Sequence, residues 1–255
     1  PAFGFDPQAR LDYGYNTVGT LTPIAKEAIR LAYGKGPDRS YIGGCSNGGR
    51  HTLVAAARFP EMFDGYLAGA PGYNLPLAAI ASIFGAQQYA TVATNPKDLS
   101  TAFTRPERQT VVNAVLAKCD ALDGARDGMI QDTGVCQAKF DFMADVPTCA
   151  AERTGNCLSA AQKKAIAPIF SGAVTGDGKP FYASFPVDAG LAGDGVANWE
   201  FTAPIQRDAS AVAFIWAVPP QAAKGFDDAR FALGTPVDQM LAMVNAKDAS
   251  FKLSG

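Results

Sequence analysis

The chain has 255 residues, 48% of them hydrophobic and 18% charged, with 22 basic against 24 acidic side chains and a formal net charge of −2. This is enough apolar material for one large domain or two small ones. The balanced charge gives no reason to expect a nucleic-acid or anionic-membrane partner. No run approaches the roughly 18 consecutive apolar residues of a membrane span.

Taken from its start, the chain opens at Pro1 with neither Met nor a leader pattern. It is therefore expected to begin after processing or partway into a longer protein. Residues 17–33 place Leu21, Ile24, Ala25, Ala28, Ile29 and Ala32 at helical spacing, and Gly34, Gly36 and Pro37 follow. That spacing predicts an amphipathic helix with a firm stop. The stretch SYIGG (40–44) reads as a short strand, GGRHTLVAAARF (48–59) as a helix stopped by Pro60, and FDGYLAGAPG (63–72) as a second strand with a Gly/Pro-rich exit. Alternating helix and strand predicts a parallel α/β sheet. Beyond residue 75 the pattern changes to Ala-rich helices over 77–92 and 106–118, an acidic, cysteine-bracketed region over 119–157, and a further helix over 159–170. The remainder is rich in Gly, Pro and Ala with helical patches. The composition predicts a boundary near residues 74–76.

Gly44-Cys45-Ser46-Asn47-Gly48 satisfies G-x-S-x-G between a predicted strand and a predicted helix. In that context the pattern describes a nucleophile elbow, in which glycines on either side of a strained serine let strand and helix pass close by. Gly49 tightens the same packing. Ser46 is the candidate nucleophile, and the backbone N–H of Asn47, at the helix N-terminus, is the candidate oxyanion donor. The competing reading is an ordinary tight turn between strand and helix. A serine needs a base, usually a histidine held by an acid. His51, the one histidine present, sits on the helix leading away from the elbow, so it reads as a helix-surface or packing residue and not as the base. With two strands before residue 75, no returning alternation and no base, the expectation is a chain truncated at both ends.

The five cysteines are Cys45, Cys119, Cys136, Cys149 and Cys157. Cys119/Cys136 and Cys149/Cys157 are spaced as local disulfides, which form in oxidising compartments. The first would restrict the unfolded chain by about 3 kcal/mol on a loop-entropy argument. Reduced thiols are the alternative, since the count is odd. Zinc is disfavoured, because there is no C-x-x-C pair and only one histidine. If both pairs form, Cys45 is left over beside Ser46. Between the paired cysteines, Asp120, Asp123, Asp127 and Asp132 stand among Gly124 and Gly128. Carboxylates at i, i+3 and i+7 with free carbonyls between them suit a hard cation, and equally suit a solvated acidic turn.

Four segments, FGFDPQARLDYGYN, GPDRSYIGGCSNGGR, RFPEMFDGYLAGAPGYNLP and CDALDGARDGMIQD, together resemble the tannase and feruloyl esterase family of α/β-hydrolases, which also includes the hydrolase of mono(2-hydroxyethyl) terephthalate. The resemblance covers most of residues 1–170 and weakens over 171–255. It implies part of an α/β-hydrolase core over 1–74 (helix, strand, nucleophile elbow, helix, strand), followed by a mostly helical, loop-rich lid over 75–255. It implies Ser46 as nucleophile, and Cys45 disulfide-bonded to a cysteine beside the catalytic histidine, with acid, histidine and partner cysteine all beyond Gly255. It also implies a structural calcium held by side chains of Asp120, Asp123 and Asp127 and carbonyls of Ala125 and Met129.

An aromatic ester needs an apolar slot with a few polar anchors. The segment QRDASAVAFIWAVPP offers Arg207, Phe214 and Trp216, with packing and simple surface exposure as the bland alternatives. The combined expectation is a secreted or periplasmic, monomeric serine esterase acting on small feruloyl- or galloyl-type esters. It would be completed by the rest of the same hydrolase through Cys45. A terephthalate-type or other ester hydrolase, and a non-catalytic calcium-binding lid module, are the rivals.

Overall fold

A computed structural model describes residues 2–245. Helix α1 (Thr17–Tyr33) ends at Gly34, whose φ of 76° supplies the left-handed cap that a side chain would strain. Strand β1 (Tyr41–Cys45) leads through Ser46 into α2 (Asn47–Arg58), and β2 (Gly65–Gly69) follows. The strands pair in parallel with Tyr41 opposite Gly65 and Cys45 opposite Gly69. Parallel pairing requires a crossover, and α2 is that crossover. Helices α3 (Leu75–Ala90), α4 (Arg105–Cys119), α5 (Thr133–Lys139) and α6 (Ala160–Ser171) succeed it, with α7 (Asp228–Gly234) and α8 (Val237–Val244) near the end of the described residues. No helix among the described residues is long and apolar enough to cross a membrane.

The chain forms two compact units, and their boundary differs from the one read in the sequence. Among the described residues, the first comprises 2–79, 210–225 and 240–245; the second comprises 80–209 and 226–239. Residues 210–225, expected in the lid, instead belong with the strand-bearing unit. The reason is apolar packing: Phe5 meets the Phe214 ring at 5.2 Å, and Gly4 lies so close that a Cβ would fall 2.0 Å from the Phe214 carbonyl oxygen. Arg10 is buried and donates from Nη2 to the Ala217 carbonyl at 3.0 Å. Helix α1 forms over the expected residues, but none of them is buried. Its apolar stripe, with Leu21 and Ile24, faces no core among the described residues, and Leu31, Tyr41 and Leu67 are 70%, 71% and 77% exposed.

In the second unit, α4 begins with a capping box. The Glu107 carboxylate accepts from Thr104 N–H at 2.8 Å, satisfying a donor that the helix itself leaves free. Glu107 is buried, and Arg153 answers it with a two-pronged ion pair (Nε at 2.7 Å, Nη2 at 2.6 Å) while also donating to the carbonyls of Thr101 and Ala102. Ser159 and Gln162 form the corresponding box on α6. Phe103, Leu99, Val115, Leu158, Phe142, Phe170, Tyr89 and Phe201 fill the core between them. Lys163, on α6, is 1% exposed; its Nζ donates to the Met143 carbonyl at 3.1 Å, to Thr148 Oγ1 at 2.7 Å and to the Val146 carbonyl. Both expected local disulfides are present, Cys119–Cys136 and Cys149–Cys157, closing separations of 17 and 8 residues.

Candidate active site

Ser46 has φ 58° and ψ −117°, a sparsely populated conformation for a residue with a side chain, costing of order 1–3 kcal/mol. The surrounding backbone over-determines it. Ser46 N–H donates to the Gly69 carbonyl at 3.0 Å, and its own carbonyl accepts from Arg50 N–H at 3.0 Å and Gly72 N–H at 3.1 Å. Two glycines make that packing possible. A Cβ on Gly44 would lie 2.6 Å from the Gly48 carbonyl carbon, and one on Gly49 would lie 2.6 Å from the Gly69 oxygen and 2.8 Å from Pro71 Cα. Gly48, expected to share this role, has open space where its Cβ would be. It serves as the backbone that Gly44 passes. Asn47 is the first residue of α2, so its N–H is one of the helix's unsatisfied donors, where a developing negative charge is best stabilised. The exit of β2 is strained as well: Ala70 and Asn74 hold φ of 37° and 44° without being glycine.

The neighbouring residues behave as a frame. Arg50 is buried and contacts Asn47, Tyr13, Gly14 and His51. An arginine only donates, so Nε2 of His51 accepts at 3.1 Å and the ring proton sits on Nδ1, which is buried without a partner among the described residues. Burial, and then the Arg50 charge, hold the His51 imidazolium below its ordinary pKa. His51 thus favours its neutral form and packs against Arg50, which is the packing alternative of the two read from the sequence. Cys45 is exposed and unpaired within this chain.

The acidic loop turns on Gly124 (φ 95°) and Gly128 (φ 78°), where side chains are disfavoured. Asp120 Oδ1 accepts from the N–H groups of Asp127 (3.2 Å) and Gly128 (3.0 Å), Asp123 from Ala125 (2.9 Å) and Gln131 (3.1 Å), and Asp127 from Met129 (3.0 Å). These backbone donors hold Asp123 below the usual carboxylate range. Asp132 caps α5 through Val135 N–H at 3.1 Å. No group of three metal-ligating His, Cys, Asp or Glu side chains converges among the described residues.

The three residues expected to meet substrate fall in different units. Arg207, in the second, pairs with the buried Asp208 through Nε at 2.7 Å and Nη2 at 2.6 Å, and stacks 4.3 Å over the Trp199 ring. Phe214 and Trp216, in the first, are buried in its core. Sequence reading missed Arg50, because GGR gives no sign that its arginine turns inward. The strained Ala70 was equally hidden, since alanine carries no turn signal.

A parallel strand, a strained serine and a helix N-terminus in immediate succession define the nucleophile-elbow class of α/β-hydrolase folds. The chain belongs to the tannase and feruloyl esterase family, whose model matches residues 1–216. It is 39% identical over 204 residues to the mono(2-hydroxyethyl) terephthalate hydrolase of Piscinibacter sakaiensis, covering 75% of this chain and 34% of that protein. It is 36% identical over 178 residues to a probable feruloyl esterase B-1 of Aspergillus fumigatus, covering 69% and 32%. The crystal structure of feruloyl esterase B from Aspergillus oryzae superposes with a TM-score of 0.77 at 25% identity, over 97% of this chain and 46% of that one. Tannin acyl hydrolase from Aspergillus niger shares the fold, with a TM-score of 0.69 at 21% identity. The chain spans about a third of the length of these curated relatives (34% and 32%).

Proposed function

We propose that these residues carry the nucleophile and much of the lid of a serine hydrolase acting on esters of aromatic carboxylic acids, of feruloyl or galloyl type. The observation that carries this reading is the conformation of Ser46, φ 58° and ψ −117°, between a parallel strand and a helix N-terminus. In the proposed reaction Ser46 Oγ attacks the ester carbonyl. A histidine oriented by an aspartate, both supplied from outside these residues, takes the hydroxyl proton and returns it to the departing alcohol. Water then cleaves the acyl-enzyme by the same route. Asn47 N–H stabilises the oxyanion of both tetrahedral intermediates.

Cys45, exposed beside the nucleophile, would join the loop bearing the histidine through a disulfide. Calcium would bind the acidic loop through Asp120, Asp123 and Asp127 and the Ala125 and Met129 carbonyls, fixing the lid root without entering the chemistry. The carboxylates of Asp120, Asp123 and Asp127 accept from the loop's own backbone N–H groups and do not converge as a trio among the described residues, so binding would require them to turn toward a common point. The support for calcium is their i, i+3, i+7 spacing around Gly124 and Gly128. A secreted or periplasmic location fits the two disulfides, and the proposed state is a monomer. The 39% identity to the terephthalate-ester hydrolase favours that substrate as the second reading.

The test is turnover of methyl ferulate, methyl gallate and mono(2-hydroxyethyl) terephthalate by the full-length polypeptide carrying this chain. Hydrolysis of one of them, lost in Ser46→Ala by at least about 10³-fold, is the expected result. Ester binding without turnover in the parent protein would instead make it a non-catalytic lid module.

A further inference from the structure

Arg50 is 1% exposed. Its Nε donates to Asn47 Oδ1 at 2.9 Å, Nη1 to the Gly14 carbonyl at 3.2 Å, and Nη2 both to the Tyr13 carbonyl at 2.8 Å and to His51 Nε2 at 3.1 Å. The guanidinium lies 4.5 Å over the Tyr13 ring. All of these acceptors are neutral, and no carboxylate among the described residues forms an ion pair with it. Arginine stays protonated even when buried, and an unpaired buried charge costs several kcal/mol of desolvation.

The charge has a particular address. Arg50 lies in the first turn of α2, where its own N–H bonds the Ser46 carbonyl at 3.0 Å. Its Nε grips the side chain of Asn47, the residue proposed above as the oxyanion donor. The carbonyls it holds belong to a wide π-helical turn over Asp12–Asn16, a geometry that recurs at functional sites. Arg50 thus ties the side chain of Asn47 to the turn against which the elbow helix rests, and it places a fixed positive charge in the first turn of that helix. Preorganised dipoles and charges at such a place act mainly on the transition state.

We propose that Arg50 is a positioning residue for the nucleophile turn, holding Asn47 so that its N–H is aimed at the oxyanion and adding positive potential there. This rests on the esterase reading above. The experiment uses the full-length polypeptide, with a fluorophosphonate probe counting reactive serines and steady-state kinetics normalised to that count. In Arg50→Met, kcat per titrated site should fall about 10²-fold with KM little changed, the cost of a small misplacement in a preorganised site. Arg50→Lys, which keeps the charge, should recover at least about tenfold of that. An unchanged kcat per titrated site in Arg50→Met, with only fewer sites and a lower melting temperature, would reduce Arg50 to a packing role and overturn the inference. Should that variant fail to fold, Asn47→Ala keeps the backbone donor but cuts the link. A loss of about tenfold per site supports the proposal and an unchanged rate refutes it. A parent protein whose Ser46 the probe does not label refutes the esterase reading itself, and the inference with it.

Discussion

At the elbow, three glycines that look alike in sequence have different tasks. Gly44 and Gly49 stand where a Cβ would meet backbone at 2.6 Å, whereas Gly48 has no neighbour within 4 Å of that position. Backbone cannot yield as a flexible side chain can. Gly44→Ala and Gly49→Ala should therefore each destabilise the first unit by about 2 kcal/mol or more. Gly48→Ala should leave stability unchanged or raise it by up to about 1 kcal/mol, because alanine is the better helix former. Chemical denaturation of the three variants checks this, and a loss at Gly48 as large as at Gly44 and Gly49 would contradict this division of tasks. The G-x-S-x-G motif was legible because turn chemistry is local: glycines, a serine and a helix start lie within five residues. Arg50 was not, because its burial depends on Tyr13 and Gly14, 37 and 36 residues away, and nothing in GGR marks that contact.

The packing of elements, unlike their existence, depends on partners that a local pattern does not name. Helix α1 occupies the residues its periodicity predicts, yet none is buried, since an apolar stripe specifies that a partner is needed and not where it lies. In the second unit, α3 meets the turn over Asn198–Thr202 through Tyr89, whose hydroxyl donates to Glu200 Oε2 at 3.0 Å. Burial raises the Glu200 carboxyl above its ordinary value of 4.5, with the Tyr89 hydrogen bond opposing the rise. For an acid whose folded pKa is raised, the protonated form is favoured by folding. Stability is then full below the unfolded pKa and declines as pH climbs through the folded one. Glu200→Gln, which keeps the acceptor for Tyr89, should raise the melting temperature at pH 8 and have little effect at pH 4; an equal effect at both would exclude the ionisation argument. On the acidic loop, millimolar calcium should raise the melting temperature by several degrees, about 1 kcal/mol or more of linkage. Chelator should reverse the shift and Asp123→Asn should blunt it, while an indifferent melting curve would leave the loop a solvated turn.

Across the whole chain, two parallel strands with exposed Tyr41 and Leu67, beside the uncovered face of α1, form an apolar surface of the kind that parallel sheets ordinarily cover on both sides. These 255 residues expressed alone should bind a hydrophobic dye and self-associate, as scattering against concentration would show; a monodisperse, dye-free chain would contradict this. Of the five cysteines, the two disulfides leave one thiol, Cys45. One thiol per chain should react with Ellman's reagent under native conditions in these 255 residues alone, and peptide mapping after alkylation should find Cys45 unlabelled in the full-length polypeptide if it is stapled as proposed. The return of residues 210–225 to the first unit was the largest departure from the sequence reading. It follows from contacts such as Phe5 with Phe214, separated by most of the chain, for which no local signal exists. Lys163, enclosed by the Met143 and Val146 carbonyls and Thr148, sits next to exposed Lys164. Two chemically identical amines side by side in sequence thus differ wholly in access to a reagent. Brief acetylation followed by peptide mass mapping would modify Lys164 and spare Lys163 while the second unit is intact, giving each molecule an internal control for whether that half is folded.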